Sequence, residues 1–242
     1  MSAESLEEAE LSGTPVGRRV ILAMAGVGAA GILFGGKVQD ALGRWLAPIT
    51  ARDGTGLTSL LPVGRFRIYS VTSSLPSRST ADYRLQIDGL VDKPVTLTYG
   101  DLLAMPATGI TRDFQCVTGW RVHSVPWVGV KLADLLDHVG AHADAKGVTF
   151  QSFDGLYTES LSMSQARLHD VIVAYRMEGK GVSRIHGGPV RLYVAPMYGY
   201  KSCKWLERIT VENEVRPGYW ELRGYDQDAW VGRSNGRDDD PT

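Results

Sequence analysis

Residues Phe114 to Leu136 read FQCVTGWRVHSVPWVGVKLADLL. Within this stretch Cys116 stands behind a short apolar lead-in, ahead of Gly119 and of two tryptophans, Trp120 and Trp127. From Trp127 onward, WVGVKLADLLDHVGA spaces Val130, Leu132, Leu135, Leu136 and Val139 like one face of a helix. Gly140 is placed to end it. The role of Cys116 stays open at this level. A lone cysteine is most often a small buried hydrophobe. As a nucleophile it needs a base, and although the chain has five histidines, no protease-type signature surrounds it. A disulfide to Cys203, the other cysteine, would need an oxidising compartment. A metal held by one thiolate needs a cofactor to provide the remaining donors.

Upstream, YRLQIDGLV alternates Tyr83, Leu85 and Ile87 on one face, the pattern of a half-buried strand. DKP then turns the chain into VTLTYGDLLAMP, a strand running into a short helix stopped by Pro106. Downstream, GVTFQSFDGLYTESL is two β-rich runs around Asp154-Gly155, a hairpin signal. DVIVAYRMEGKG, PVRLYVAP and WLERITVENEV add three more strands. There is no internal repeat and no glycine fingerprint opening a helix after a strand, so a doubly wound nucleotide fold is not indicated. Many short strands with a few short helices predict an α+β domain dominated by sheet.

The chain has 242 residues, 43% of them hydrophobic, and a formal net charge of −1. This suits one domain with a substantial core. Without a basic excess to neutralise phosphates, nucleic acid is not an expected partner. Two cysteines make neither a disulfide framework nor a four-thiolate zinc or iron–sulfur site.

The N-terminal region divides by composition. Residues 1–17 form a polar, acidic leader expected to be disordered. Arg18 and Arg19 then lead into an uncharged run from Val20 to Gly36. That run is near the lower limit for spanning a bilayer, roughly 17–25 apolar residues. Leader, paired arginines and weak apolar stretch together resemble a twin-arginine export signal. The plainer reading is a membrane anchor with its arginines inside. Both predict one hydrophobic helix over 18–37 and a globular part outside the cytoplasm, on the periplasmic side. ALG at 41–43 is a poor cleavage site, so a retained anchor is expected. Residues 38–64 read as linker, 65–225 as the globular domain, and 226–242 as a C-terminal tail whose last stretch, GRDDDPT, is a solvated end.

A second stretch, His186 to Val211, reads HGGPVRLYVAPMYGYKSCKWLERITV. Gly187 and Gly188 permit close backbone approach. Arg191, Lys201 and Lys204 place three cations near one another along the chain. The planar fork of an arginine suits phosphate, and the lysines add point charges. Alone, the pattern is weak, because glycine and basic residues are common in turns.

Together the two stretches resemble the molybdopterin-binding domain of the sulfite oxidase superfamily. That family shows a cysteine, then a glycine and a large residue, then V-x-W-x-G-V-x-L-x-D-L-L; here these are Cys116, Gly119, Trp120 and VPWVGVKLADLL. Downstream it shows H-G-x-P-V-R-L-x-V-P and Y-G-x-K-x-x-K-W. Here His186, Gly187, Pro189, Val190 and Arg191 match the first, and Tyr198, Gly199, Lys201, Lys204 and Trp205 the second. The resemblance runs from about Arg65 to Val215. It implies a sheet-rich sulfite-oxidase-type fold, a molybdenum–molybdopterin cofactor and two-electron oxo transfer. It carries Cys116 over as the catalytic molybdenum ligand, a fitting role for a soft thiolate. Arg191 and the segment Ser202, Cys203 and Lys204 carry over as binders of the pterin phosphate, with Cys203 there by packing rather than ligation. His186 carries over as a pterin contact, and Tyr69 and Thr72 as part of a first pterin-contacting strand.

Departures from the family bear on the substrate. The alanine-glycine-asparagine-arginine run that follows the cysteine in true sulfite oxidases is VTGWRVHSVPW here, so their anion-binding arrangement is not reproduced. Arg112, Arg121 and His123 are the local side chains that would face either a substrate or solvent. Neither a haem domain nor an immunoglobulin-like dimerisation domain is expected. The pattern is closer to bacterial stand-alone relatives known for reducing oxidised methionine in envelope proteins. The implied substrate is a small molecule or protein sulfoxide, with electrons exchanged through a separate partner such as a haem protein. Two rival readings are a metal-free, membrane-tethered binding module on the same fold and a thiol redox protein. The latter lacks a Cys-x-x-Cys motif. Cofactor loading is coupled to folding, and the twin-arginine route carries proteins already folded.

Overall fold

The computed structural model describes residues 66–72 and 74–242; the expected N-terminal helix, its leader and the whole of the linker lie outside them. No helix among the described residues is long and apolar enough to cross a membrane.

Two sheets organise the domain. The first contains β1 (Arg84–Gly89), β2 (Val95–Thr98), β5 (Gly147–Ser152), β6 (Thr158–Ser162) and β10 (Leu206–Glu212), in the order β2-β1-β10-β5-β6. β1 and β10 run parallel and the other neighbours antiparallel. The second runs β3 (Thr108–Gln115), β4 (Arg121–Lys131), β7 (Val171–Met177) and β8 (Lys180–Gly181), and β9 (Arg191–Val194) also pairs with β7. In β1, Leu85 and Ile87 are buried while Arg84 and Gln86 are exposed, the period of two expected from the sequence. β7, flanked on both sides, has six of its seven residues buried, as a central strand covered on both faces should.

Among the described residues three short α-helices fill the connections. α1 (Tyr99–Ala104) begins with a reciprocal cap: the Asp101 amide donates to Thr98 Oγ1 at 3.1 Å, and the Thr98 amide donates to the Asp101 carboxylate at 2.8 Å. α3 (Met163–Ala166) opens on the same device, with Ser162 and Gln165.

The second helix, α2 (Leu132–His138), is shorter than its apolar spacing predicts. Trp127 and Val130 belong to β4, paired with Met177 and Val173 of β7. A bulge between Val128 and Gly129 shifts the register there, so a strand presents the residues that a helix face would. Gly129 is required at that point: a Cβ on it would meet the Val173 carbonyl at 2.3 Å. Leu132, Leu135, Leu136 and Val139 are all fully buried, and Gly140, at φ +66°, ends the helix as expected.

The hairpin of β3 and β4, which carries Cys116 at its turn, has no counterpart among the strands predicted from sequence. The C-terminal segment also differs from its solvated expectation. Ala229 and Val231 are buried, Tyr198 donates from its hydroxyl to Asp239 at 2.8 Å, and Thr242 Oγ1 donates to the Ala195 carbonyl at 2.7 Å. Apolar residues at alternate positions in 229–231 anchor it despite the acidic run that follows.

Candidate active site

Between the Cys116 turn and the loop after β9 lies a cavity of about 320 Å³. Cys116, His186, Arg191, Ser202, Lys204 and Tyr69 all line it. Residues from the two separated sequence stretches therefore meet around one space.

Cys116 sits at the start of the turn from β3 to β4. Its amide donates to the Trp120 carbonyl at 2.9 Å, and Gly119 donates back to the Cys116 carbonyl at 3.0 Å. Gly119 takes φ +97°, a conformation open to glycine and costly to other residues. Thr118 Oγ1 donates to Cys116 Sγ at 3.2 Å. Burial pushes the Cys116 thiol up, opposed by the contacts to Thr118 and by the nearby charges of Arg237 and Arg67. Both Cys116 and Cys203 are free thiols.

The opposite wall is cationic. Arg191, on β9, donates to the carbonyls of His186 (2.7 Å), Ser202 (3.0 Å) and Leu192 (3.3 Å), using three of its five N–H groups. Its guanidinium lies 5.4 and 5.5 Å from the rings of Trp127 and Phe114. Lys204 Nζ donates to the Tyr69 carbonyl and stands 4.4 Å from the Trp205 ring centre. Burial, reinforced by Arg191, lowers Lys204 to about 7. Burial, then Arg191 and Lys204, lowers His186 to about 4. Burial brings Arg191 down to about 10. Loss of water disfavours the charge on all three groups, and the cationic neighbours add to this at Lys204 and His186, so an anion placed beside Arg191 and Lys204 would favour their charged forms. Gly187, at φ +96°, lets the backbone lie against Lys204, whose Cβ would be 2.5 Å from a Cβ at that position.

Asp154 adds a polar partner that the sequence reading treated only as a turn residue. Its Oδ1 accepts from the amides of Leu156 (2.9 Å) and Tyr157 (2.8 Å), while its Oδ2 is buried without a hydrogen-bond partner. An orphaned carboxylate oxygen on a cavity wall lacks an N–H or O–H donor, which a ligand can provide. The remaining lining is strongly aromatic, including Phe66, Phe114, Trp120, Tyr157, Tyr200 and Trp220. Of these, Trp120 alone stood out in sequence; the others are dispersed along the chain and share no spacing.

The other predicted residues fall elsewhere. Cys203 is fully buried in the hydrophobic core and does not line the cavity. Thr72 lies outside the lining, its hydroxyl donating to the Ser74 carbonyl at 2.6 Å. Lys201, grouped with Arg191 and Lys204 along the chain, is buried against Glu159 (2.8 Å) and Glu221 instead. Adjacency in sequence misled there, because the 3-10 turn Gly199–Lys201 sends its side chain away from that of Lys204. Arg112, Arg121 and His123 are outside the lining as well, paired with Asp170 (3.6 Å), Gln115 (2.5 Å) and Asp113 (2.8 Å).

A thiol, a pair of cations and a carboxylate oxygen without a donor on one cavity suit a soft metal held by a phosphorylated organic cofactor with N–H donors. The model of the oxidoreductase molybdopterin binding domain matches residues 72–220. The chain belongs to that family. Uncharacterized oxidoreductase YuiH of Bacillus subtilis is 33% identical over 172 residues, covering 66% of this chain and 86% of that one. The protein-methionine-sulfoxide reductase catalytic subunit MsrP of Ralstonia nicotianae is 27% identical over 256 residues, covering 93% and 77%. Among solved structures, the sulfane dehydrogenase SoxCD of Paracoccus pantotrophus is similar with a TM-score of 0.54 at 28% identity. That match covers 59% of this chain and 41% of the other, so the chain spans less than half of it. The sheet-rich fold is thus of sulfite oxidase type, and the chain is an oxidoreductase with a molybdenum–molybdopterin cofactor.

Proposed function

We propose that Cys116 ligates the molybdenum and that the chain reduces a sulfoxide on the outer face of a membrane. The single observation that carries this is the sharing of one cavity by Cys116 with Arg191, Ser202 and Lys204. In this reading, the cofactor supplies two-electron oxo transfer when bound. Arg191 and Lys204 hold the phosphate by charge, Ser202 and His186 bound its pocket, and Tyr69 closes the mouth. Asp154 Oδ2 accepts from the organic ring system. Cys116 fixes the metal end.

Support for a sulfoxide over sulfite comes from the lining. Arg67 is the only arginine besides Arg191 lining the cavity among the described residues, and Arg112 and Arg121 are turned to other partners. A largely aromatic wall favours an uncharged substrate over a small anion, whose transfer from water into such surroundings is costly. MsrP of Ralstonia nicotianae is named a protein-methionine-sulfoxide reductase catalytic subunit; a protein-bound sulfoxide is the class assigned here. Electrons come from a separate haem partner. The twin-arginine-like segment around Arg18 and Arg19 exports and anchors the loaded domain.

The test is metal analysis of protein purified from a host that makes molybdopterin. About one molybdenum per chain is expected, lost in Cys116→Ser together with sulfoxide reduction assayed against a viologen. Folded wild-type protein without metal would overturn the reading in favour of a binding module. Turnover of sulfite but not of sulfoxides would overturn the substrate class alone.

A further inference from the structure

The geometry points to Thr118 as a positioning residue that orients the Cys116 sulfur and draws charge from it by a hydrogen bond. The inference rests on the reading of Cys116 as metal ligand. It adds a residue that neither composition nor motif marked.

The turn from Cys116 to Trp120 is what makes the contact. Gln115 and Arg121 close the ladder, Cys116 and Trp120 are joined by a backbone bond at 2.9 Å, and Gly119 supplies the left-handed step. This compact turn folds Thr118 back over the residue two before it. Its Oγ1 then lies 3.2 Å from Cys116 Sγ, inside the normal range for a bond to sulfur. The same sulfur is approached by the Thr118 main-chain N–H. Among the described residues the Thr118 hydroxyl makes no other hydrogen bond, and the residue lines the cavity beside Cys116 and Trp120.

Two consequences follow from chemistry. A side chain with one free rotation at χ1 is held in a single rotamer when its sulfur has a fixed donor. And a hydrogen bond to a metal-bound thiolate takes electron density from the sulfur, which weakens its donation and raises the reduction potential of the metal. A valine at 118 keeps the branched shape and removes the donor. A serine keeps the donor and removes a methyl group. The pair separates hydrogen bonding from packing.

Thr118→Val, Thr118→Ser, Cys116→Ser and the wild type are purified as loaded enzyme from the same host. Metal content, the thiolate-to-metal absorption band and the midpoint potential are measured on each. The expected result is a lower potential and a shifted band in Thr118→Val, with Thr118→Ser restored to the wild-type values and thermal midpoints alike in both. Metal loading reduced by more than half in Thr118→Val but normal in Thr118→Ser supports the same role, because only the donor differs in that sense. Wild-type band and potential in Thr118→Val overturn it. So does an equal loss of metal in both Thr118 variants, which assigns the position to packing. Metal retained in Cys116→Ser instead overturns the ligand reading beneath it, and is distinguished by that arm alone.

Discussion

Gly119 lies directly beneath Arg237: a Cβ on the glycine would come within 2.9 Å of the guanidinium Nη2. That guanidinium is clamped in turn by Asp239, at 2.6 and 2.9 Å, and Asp239 accepts from the buried Tyr198 hydroxyl. A few residues away, Arg121 donates to the Asp240 carbonyl. The C-terminal segment thus roofs the turn that presents Cys116. Gly119→Ala meets both a backbone penalty, roughly 1–2 kcal/mol for a left-handed residue, and a displaced Arg237. The expected outcome is a lower thermal midpoint and reduced molybdenum content. Arg237→Ala in the Gly119→Ala background should recover only the part due to the clash. Full recovery would show that the backbone conformation costs nothing there.

The sheet-rich architecture was legible in sequence because most of its strands have one wet face or one continuous apolar run. Leu85 and Ile87 alternate with polar neighbours, and Val171 to Met177 is nearly unbroken. The β3–β4 hairpin was not legible. Thr108 to Gln115 buries only its last two residues, so no period stands out. In β4 a bulge at Gly129 converts strand alternation into spacing that imitates a helix. The site was legible where chemistry is concentrated, at Cys116, His186, Arg191 and Lys204. It was not where single residues converge from distant elements, as Phe66, Asp154 and Trp220 do. Lys201 shows the limit of linear proximity. It is three residues from Lys204 and serves a different part of the fold.

Lys201 carries the second prediction. Its ammonium bonds Glu159 (2.8 Å), the Ser160 carbonyl (3.0 Å) and Glu221, with all three side chains buried. Burial, with Glu221 beside it, holds the Glu159 carboxyl well above the usual carboxylate range in spite of Lys201. Burial thus favours the neutral form of the Glu159 carboxyl within the cluster. Lys201→Met leaves two buried carboxyl groups without their cation, a loss of about 3–5 kcal/mol. Glu159→Gln retains the neutral form and costs far less. The raised Glu159 also fixes a sign: its contribution is full below the ordinary carboxylate pKa and declines as pH rises above it. Denaturant midpoints of the wild type should fall with rising pH across that window, and the Glu159→Gln profile should be flatter. Parallel profiles would refute the upward shift of Glu159.

Arg191→Lys tests how much of the cationic wall is geometry rather than charge. The fork holds the His186 and Ser202 carbonyls at 2.7 and 3.0 Å, so it ties the segment before β9 to the one after it. A lysine keeps the charge and cannot make both bonds, and charge-assisted bonds of this kind contribute about 1.5–3 kcal/mol each. The variant should fold with a lower denaturant midpoint and bind cofactor weakly, as read by molybdenum content. Wild-type loading in Arg191→Lys would mean that charge alone suffices.

Lys204, lowered to about 7 by burial and by Arg191, gives anion binding a definite pH dependence. Below that value the ammonium is already present, and a bound anion gains from it in full. Above it, binding must first restore the proton, so the anion is taken up together with a proton and affinity declines by about tenfold per pH unit. Sulfate is the suitable probe, because it has no titration of its own near neutrality. Calorimetry on cofactor-free protein should give constant sulfate affinity below pH 7, falling affinity from pH 7 to 9, and proton uptake that depends on the buffer. Lys204→Met should bind sulfate weakly with little dependence on pH over the same range. A wild-type affinity that is flat from pH 6 to 9 would mean that Lys204 remains charged beside Arg191, and that the wall is open enough for water to screen the pair.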